Sequence, residues 1–148
     1  MKYVFLTIIV LSLGFFILKT NVGKVMPEAN SKNVLGGELE SCCFEPKTGF
    51  YRDGFCKTGA DDYGTHVVCA EMTDEFLAFT KTKGNDLSTP KPEWRFPGLK
   101  AGDKWCLCIL RWLEAEKAGK APKINLKSTH EKALEYTSLE KLKAYALD

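Results

Sequence analysis

Apolar and polar positions divide the chain into three parts. Residues 3–18 are apolar except at three positions, whereas residues 21–33 form a largely polar stretch. Beyond residue 33, apolar residues recur at the short spacings that are typical of strands and helices. The pattern therefore predicts an N-terminal apolar segment (1–20), a flexible polar connector (21–33) and a single globular domain (34–148).

Two strands stand out within the domain segment. Residues 66–72 are short, apolar and rich in valine, and residues 104–110 follow a Gly-Asp turn. A third, short strand is predicted over 123–126. If the two longer strands are regular and pair, Cys69 lies beside Cys106 and Cys108. The alternation then predicts a three-thiol patch on the face opposite the apolar core.

Helix signals follow these strands. Helices are predicted over three stretches: from the N-cap Thr73 to Gly84, over 111–118, and from the N-cap Ser138 to residue 147. A fourth is predicted to begin at the capping-box sequence Ser128-Thr129-His130-Glu131. Few strands with helices after them indicate an α+β fold, in which helices pack on one face of a small sheet.

The N-terminal segment has the layout of a secretory signal peptide. Lys2 precedes the apolar run, which as a helix spans roughly 24 Å, less than the ~30 Å hydrocarbon core of a bilayer. Gly23 and Ala29 are the small-residue candidates for a cleavage site, and an uncleaved membrane anchor is the alternative. We therefore expect a cell-envelope location, either exported (periplasmic or secreted) or tethered, with membrane contact only through this segment.

The charge is unevenly distributed along the chain. The 148 residues carry 21 basic and 19 acidic side chains, a net charge of +2. Residues 1–35 contain four lysines and one glutamate, which gives +3 and leaves −1 for the remainder. A nearly neutral domain without a basic stripe is not expected to bind nucleic acid.

Six cysteines and two loops carry the candidate chemistry. An even cysteine count in an exported protein suggests disulfides, while inert buried thiols and a thiol-based metal or redox site remain open. The thiol or metal candidates are Cys42, Cys56, Cys69, Cys106, Cys108 and His66. Zinc or another thiophilic metal would be the cofactor, although no C-x-x-C pair supports such a site.

The two loops are the glycine-rich stretch 48–65 and the proline-rich stretch 84–98. Long loops of this kind often bind ligands, and the alternative is that they make turns and cover the edge of the core. The candidate ligand-binding residues are Arg52, Asp53, Asp62, Asp86 and Trp94. The sequence contains no nucleophile elbow, phosphate-binding glycine loop or HExxH motif, so no reaction is assigned and enzymatic activity stays open.

The main interpretation is a small ligand-binding or accessory module with an unspecified protein or small-molecule partner. A thiol-based metal or redox protein and a structural envelope protein with inert cysteines are the alternatives.

Long stretches of the domain resemble a known family. They are VLGGELESC (34–42), GFYRDGFCKTG (49–59), HVVCAEMTDEFLAFTKTKGNDLSTPKPEW (66–94) and FPGLKAGDKWCLC (96–108). The chain resembles the uncharacterised, mainly bacterial family called domain of unknown function 2237. The resemblance implies a small two-layer α/β sandwich without an established activity. It also implies that Cys43 is an extra cysteine, and that thiols kept by cytoplasmic relatives favour a metal, redox or buried-thiol role.

Overall fold

Two antiparallel strands form the sheet of the domain. The computed structural model describes residues 30–147. Its strands and α-helices are, in chain order, β1 (His66–Glu71), α1 (Asp74–Thr82), β2 (Lys104–Cys108), α2 (Ile109–Lys117) and α3 (Leu139–Lys143). Two 3-10 helices, Pro92–Trp94 and Glu131–Glu135, lie in the connections. This arrangement confirms the predicted α+β class.

The register of the sheet places two cysteines side by side. Cys69 of β1 is opposite Cys106 of β2, and Ala70 is opposite Trp105. The register shifts between His66 and Val68, which marks a β-bulge at the start of β1. The sheet therefore brings together strand residues that are 37 positions apart in the sequence, as the two-strand prediction required.

The N-terminal end of α1 agrees with the prediction. The hydroxyl of Thr73 accepts a hydrogen bond from the amide of Phe76 at 3.1 Å, so Thr73 is the N-cap. Asp74 lies in the first turn, where a negative charge is favourable beside the helix N-terminus. Phe76 and Leu77 are buried, and they attach α1 to the core.

The larger of the two apolar clusters among the described residues, which we call the main core, joins the sheet to α1, α2 and α3. Trp112 of α2 is fully buried, and its indole N–H donates to the carbonyl of Pro122 at 3.1 Å. The ring of Tyr145 meets that of Trp112 edge to face at 5.1 Å. Ile124 and Leu142 are also fully buried in this cluster. Because the polar atom of Trp112 is satisfied, its burial stabilises the fold without an unpaired donor.

The boundary between β2 and α2 differs from the prediction. The strand predicted over 104–110 ends at Cys108, and α2 begins at Ile109 rather than at Arg111. Ile109, Trp112 and Ala115 are all buried, at the spacing of three that belongs to a helix. Because burial of this stripe requires helical spacing from Ile109 onward, α2 includes Ile109 and Leu110.

The capping-box prediction was also wrong. The hydroxyl of Ser128 donates to the carbonyl of Ser41 at 2.8 Å, and that of Thr129 donates to the carbonyl of Asn125 at 2.7 Å. The 3-10 helix Glu131–Glu135 begins later, with His130 as its N-cap. Ser128 holds the N-terminal segment of the domain in place instead of capping a helix.

Two smaller predictions need correction at the C-terminal end. The expected strand over 123–126 is reduced to bridges that Ile124 makes with Ala70 and Ala146. The last helix is capped by Ser138 as expected, but it ends at Lys143 instead of residue 147. The amide of Leu147 donates to the carbonyl of Ile124 at 2.8 Å, so the final residues pair with the 123–126 segment rather than continue the helix.

The N-terminal boundary of the packed region lies close to residue 31. Ser31 and Asn33, at the end of the predicted connector, are buried, and Asn33 forms a bridge with His130. The predicted signal or anchor segment, 1–20, lies outside the described residues. Between residues 30 and 147, none of the helices has the length and apolarity needed to cross a bilayer.

Candidate functional site

Four cysteines form two neighbouring disulfides, which we call the cysteine cluster. Cys42 is bonded to Cys69 with an S–S distance of 2.07 Å, and Cys56 is bonded to Cys106 with an S–S distance of 2.05 Å. Cys56, Cys69 and Cys106 are buried, and Cys42 packs against them half-exposed. The cluster therefore ties two N-terminal loop positions to the two strands of the sheet.

The predicted three-thiol patch is only partly correct. Cys69 and Cys106 lie together, but Cys108 and the extra Cys43 are free and half-buried. Cys108 is the last residue of β2 and is opposite His66, beyond the register shift, and it is not part of the cysteine cluster. Cys42 and Cys56 complete the cluster from the loops.

The first loop is held against β2 by a hydrogen bond as well as by the disulfide. The hydroxyl of Thr48 accepts a hydrogen bond from the amide of Cys106 at 2.8 Å. Gly49 has a φ of +92°, and a Cβ at this position would lie 2.3 Å from the carbonyl oxygen of Phe55. Only glycine fits this close approach, which folds the loop back on itself.

A cavity of about 380 Å³, which we call the loop cavity, lies between the two predicted loops. Its wall consists of Gly49, Phe50 and Arg52 from the first loop, of Gly84–Leu87, Lys91, Trp94 and Phe96 from the second, and of His66, Trp105 and Cys106 from the strands. Trp105 and Cys106 are consecutive and project to opposite faces of β2, so the cavity follows the edge of that strand. Its volume lies within the range of small-molecule sites.

Arg52 is the cation of the first loop. Its guanidinium lies over the ring of Trp105, 4.7 Å from the ring centroid, and also reaches the carbonyl of Gly49 at 3.4 Å. Burial lowers the pKa of Arg52 below its ordinary value, although a guanidinium stays charged. Among residues 30–147, the carboxylate partners found for basic side chains do not include one for Arg52. A half-buried positive charge without a counter-ion is a suitable anion-binding group.

His66 lines the cavity, and the carboxylate of Asp62 supports its ring. Its Nδ1 lies 2.6 Å from a carboxylate oxygen of Asp62, whose side chain is 0% exposed. Because a carboxylate only accepts, the proton lies on Nδ1 and the Nε2 nitrogen is left for other partners. The ring stacks on Phe50 at 6.0 Å with an interplanar angle of 18°.

The pKa of Asp62 reflects two opposing effects. Burial by itself raises the pKa, but hydrogen bonds from the ring and the amide of His66 and from the hydroxyl of Thr58 bring it below its usual value. Asp62 is therefore a carboxylate in the folded protein, and it orients His66 rather than contacting the cavity.

The second loop is braced by its own carboxylate. Asp86 accepts hydrogen bonds from the hydroxyl of Thr89 at 2.7 Å and from the amides of Ser88 and Thr89, and it pairs with Lys81 at 3.2 Å. These bonds, that of the Thr89 hydroxyl first, hold the pKa of Asp86 well below its usual range. Although Asp86 lines the cavity, its acceptor capacity is largely used within the loop.

Aromatic rings give the cavity an apolar lining. Phe96 and Trp105 are buried and meet edge to face at 5.3 Å. Trp94 is 64% exposed, and the ammonium group of Lys91 lies 4.7 Å from its ring centroid. The cavity thus has a buried aromatic pair at its base, with an exposed tryptophan and a second cation at its margin.

The sequence candidates differ in their position relative to the loop cavity. Arg52, His66, Asp86, Trp94 and Cys106 line the cavity. Asp53 pairs with Lys57 at 3.3 Å and Asp62 lies behind His66, so neither carboxylate is part of the wall. Phe50, Lys91 and Trp105 were not predicted as site residues. Lys91 lies between two prolines in the same loop as Trp94, and this position is the sequence signal that could have identified it.

Comparison with protein families identifies the relationship. A family model described as an uncharacterised protein conserved in bacteria, DUF2237, matches residues 32–146. The chain belongs to DUF2237. Comparison with curated proteins gives no match. DUF2237 carries no assigned reaction in its description, so the function rests on the geometry of the loop cavity and of the cysteine cluster.

Proposed function

We propose that the domain is a small-molecule binding module that holds an organic anion with a flat apolar body in the loop cavity. The observation that carries this proposal is Arg52, a half-buried guanidinium that has no carboxylate partner among the described residues and faces a cavity lined by aromatic rings. A ligand carboxylate or phosphate would supply the missing counter-charge.

The other charges at the cavity support an anionic ligand. Lys91 adds a second cation to the wall, and the Nε2 nitrogen of His66 adds a polar atom. The carboxylate of Asp86 is already bonded to Lys81 and to its own loop. The charge that the cavity wall presents to a ligand is therefore positive, which favours an anion over a metal cation.

The shape of the lining supports a flat apolar body. Phe96 and Trp105 are buried rings at the base, while Phe50 and Trp94 are exposed rings at the margin. Aromatic walls with a few polar groups are typical of cavities that bind planar organic molecules.

The disulfides fit this proposal as structural supports. Cys56–Cys106 fixes the first loop to β2 directly beside the cavity, and Cys42–Cys69 fixes the preceding segment to β1. Such bonds are compatible with an extracellular or envelope location. We extend the proposal to an exported or tethered protein that does not use nucleic acid as a partner. The mass of the mature chain and its distribution between membrane and soluble fractions test the leader.

Three probes of matched shape test the ligand class. Benzoate, phenyl phosphate and uncharged benzamide are titrated into the oxidised protein and followed by saturation-transfer NMR and tryptophan fluorescence. We expect both anions to bind more tightly than the amide, and to lose about 10- to 100-fold in affinity in Arg52→Gln, because a charge-assisted hydrogen bond contributes about 1.5–3 kcal/mol. The carboxylate and phosphate arms identify the preferred anion.

Arg95→Gln is the matched control. Arg95 is also an arginine in the left-handed region, with a φ of 51°, but it is exposed and lies outside the cavity wall. Its replacement should leave the affinity unchanged. Equal binding of anions and amide, or equal loss in the two arginine variants, would contradict the proposal.

A further inference from the structure

In the cysteine cluster, four sulfur atoms from four separate segments lie near one another. The Sγ atoms of Cys42, Cys56 and Cys106 all lie within 4.8 Å of one another. The fourth sulfur, that of Cys69, is bonded to Cys42 but lies outside this group of three.

The proximity of the three sulfurs is compatible with a tetrahedral zinc–thiolate site that Cys69 completes as the fourth ligand. A Zn–S bond of about 2.3 Å separates the sulfurs of a tetrahedral site by roughly 3.8 Å. Once the S–S bonds are opened, rotation about the Cα–Cβ bonds can move the sulfurs toward such an arrangement, because the sulfur is the terminal atom of each side chain.

The surroundings correspond to a closed structural site. Cys56, Cys69 and Cys106 are at most 1% exposed, and Cys42 is half-buried. Four protein ligands would fill the coordination sphere and leave no position for a water or substrate, as in structural rather than catalytic zinc sites.

We propose that in the reduced protein Cys42, Cys56, Cys69 and Cys106 together bind one Zn²⁺ as four thiolates. Reduction breaks two S–S bonds and needs four electrons, which a dithiol or phosphine reductant supplies while it is itself oxidised. The four resulting thiols release their protons as they coordinate the ion. The same side chains thus hold the loops in either redox state, by covalent bonds when oxidised and through the metal when reduced.

The two free cysteines provide an internal control for the experiment. The protein is reduced with a phosphine, separated from reductant without oxygen, and alkylated with or without one equivalent of Zn²⁺, and the labels are located by mass spectrometry. Without zinc we expect six alkylated cysteines. With zinc we expect labels at Cys43 and Cys108 alone, together with one tightly bound zinc per chain by elemental analysis.

Two variants sharpen the result. The double variant Cys43→Ser/Cys108→Ser should still bind one zinc, whereas Cys42→Ser should weaken zinc binding at least 10-fold. Should Cys42→Ser fail to fold, the labelling pattern of the unmodified chain still decides. Absence of stoichiometric zinc in the reduced protein, or zinc protection of Cys43 and Cys108 instead of the four, would overturn the proposal. Because anion binding is measured on the oxidised protein, failure of one proposal leaves the other standing.

Discussion

The main core and the cysteine cluster are both buried, but different forces hold them. The main core is filled by large side chains such as Trp112, Phe76 and Met72, which are almost completely removed from water. The cysteine cluster contains only small sulfur side chains, and it lies beneath loops rather than helices. The helices bury enough apolar area to hold the main core together, whereas the cysteine cluster depends on covalent bonds.

This difference explains where the loop cavity lies. A loop held only by apolar burial would have to bury its own aromatic rings in the core, where they would not be available to a ligand. Here the Cys56–Cys106 bond and the Thr48 hydrogen bond fix the loop, so Arg52 and Phe50 stay available at its surface. Binding residues are often carried on loops that a rigid scaffold positions, and the disulfides serve as part of that scaffold.

The largest expected effect comes from reducing both disulfides in the presence of a chelator. The bonds span 27 and 50 residues, so each stabilises the fold by about 3.5 to 4 kcal/mol in the chain-entropy account. Urea unfolding should show this loss. Amide exchange should accelerate more at Gly54, which bonds to Thr48, than at Ala115 in α2.

The matched change in the main core is Trp112→Ala. It should lower the free energy of unfolding by about 3–5 kcal/mol while both disulfides remain formed, as a count of two free thiols would verify. If reduction left the urea midpoint unchanged, or if Gly54 and Ala115 lost protection equally, the two centres would not differ in the way described.

The sequence was informative wherever a local signal decides the structure. Thr73 and Ser138 are caps because their hydroxyls accept hydrogen bonds from amides three residues later, and this depends only on neighbouring residues. The period of two in regular strands also predicted that Cys69 would lie beside Cys106 if the two strands pair, and the register places them opposite each other.

Predictions that depended on distant partners were less accurate. Ser128 has the sequence of a cap, but its hydroxyl bonds to Ser41, 87 residues away in the chain. Similarly, the two disulfide pairings could not be chosen among the possible combinations, because loop positions 42 and 56 acquire their places only in the folded chain. The loops of the cavity were identified from composition, but the contact of Arg52 with Trp105 required the tertiary structure.

An intermediate effect is expected from Asp62→Asn, which tests the support beneath the cavity wall. Removing the charged partner of His66 should cost about 1–3 kcal/mol at pH 7. Because the pKa of Asp62 is depressed in the folded protein, its stabilising contribution is complete above about pH 4 and is lost as the pH falls through the folded pKa. The stability difference between the unmodified chain and Asp62→Asn, measured by urea unfolding, should therefore shrink below about pH 4.

Asp61→Asn is the neighbouring control. Asp61 is exposed and accepts a hydrogen bond from the hydroxyl of Tyr51 at 2.7 Å, so its replacement should change stability by no more than about 0.5 kcal/mol. A pH-independent difference for Asp62→Asn would show that the carboxylate does not act through its charge.

Trp94→Ala should change stability as little as Asp61→Asn does, and this variant separates the margin of the cavity from the main core and the cysteine cluster. Trp94 is 64% exposed and contacts Lys91, so its removal should alter the free energy of unfolding by no more than about 0.5 kcal/mol. Loss of its ring should nevertheless weaken the binding of benzoate or phenyl phosphate several-fold, since one aromatic contact contributes about 0.5–1.5 kcal/mol. Calorimetric titration and urea unfolding of the same preparation measure both quantities. A variant that lost stability but kept its affinity would assign Trp94 to the scaffold, and the loop cavity would then lack the exposed aromatic wall on which the proposed ligand class depends.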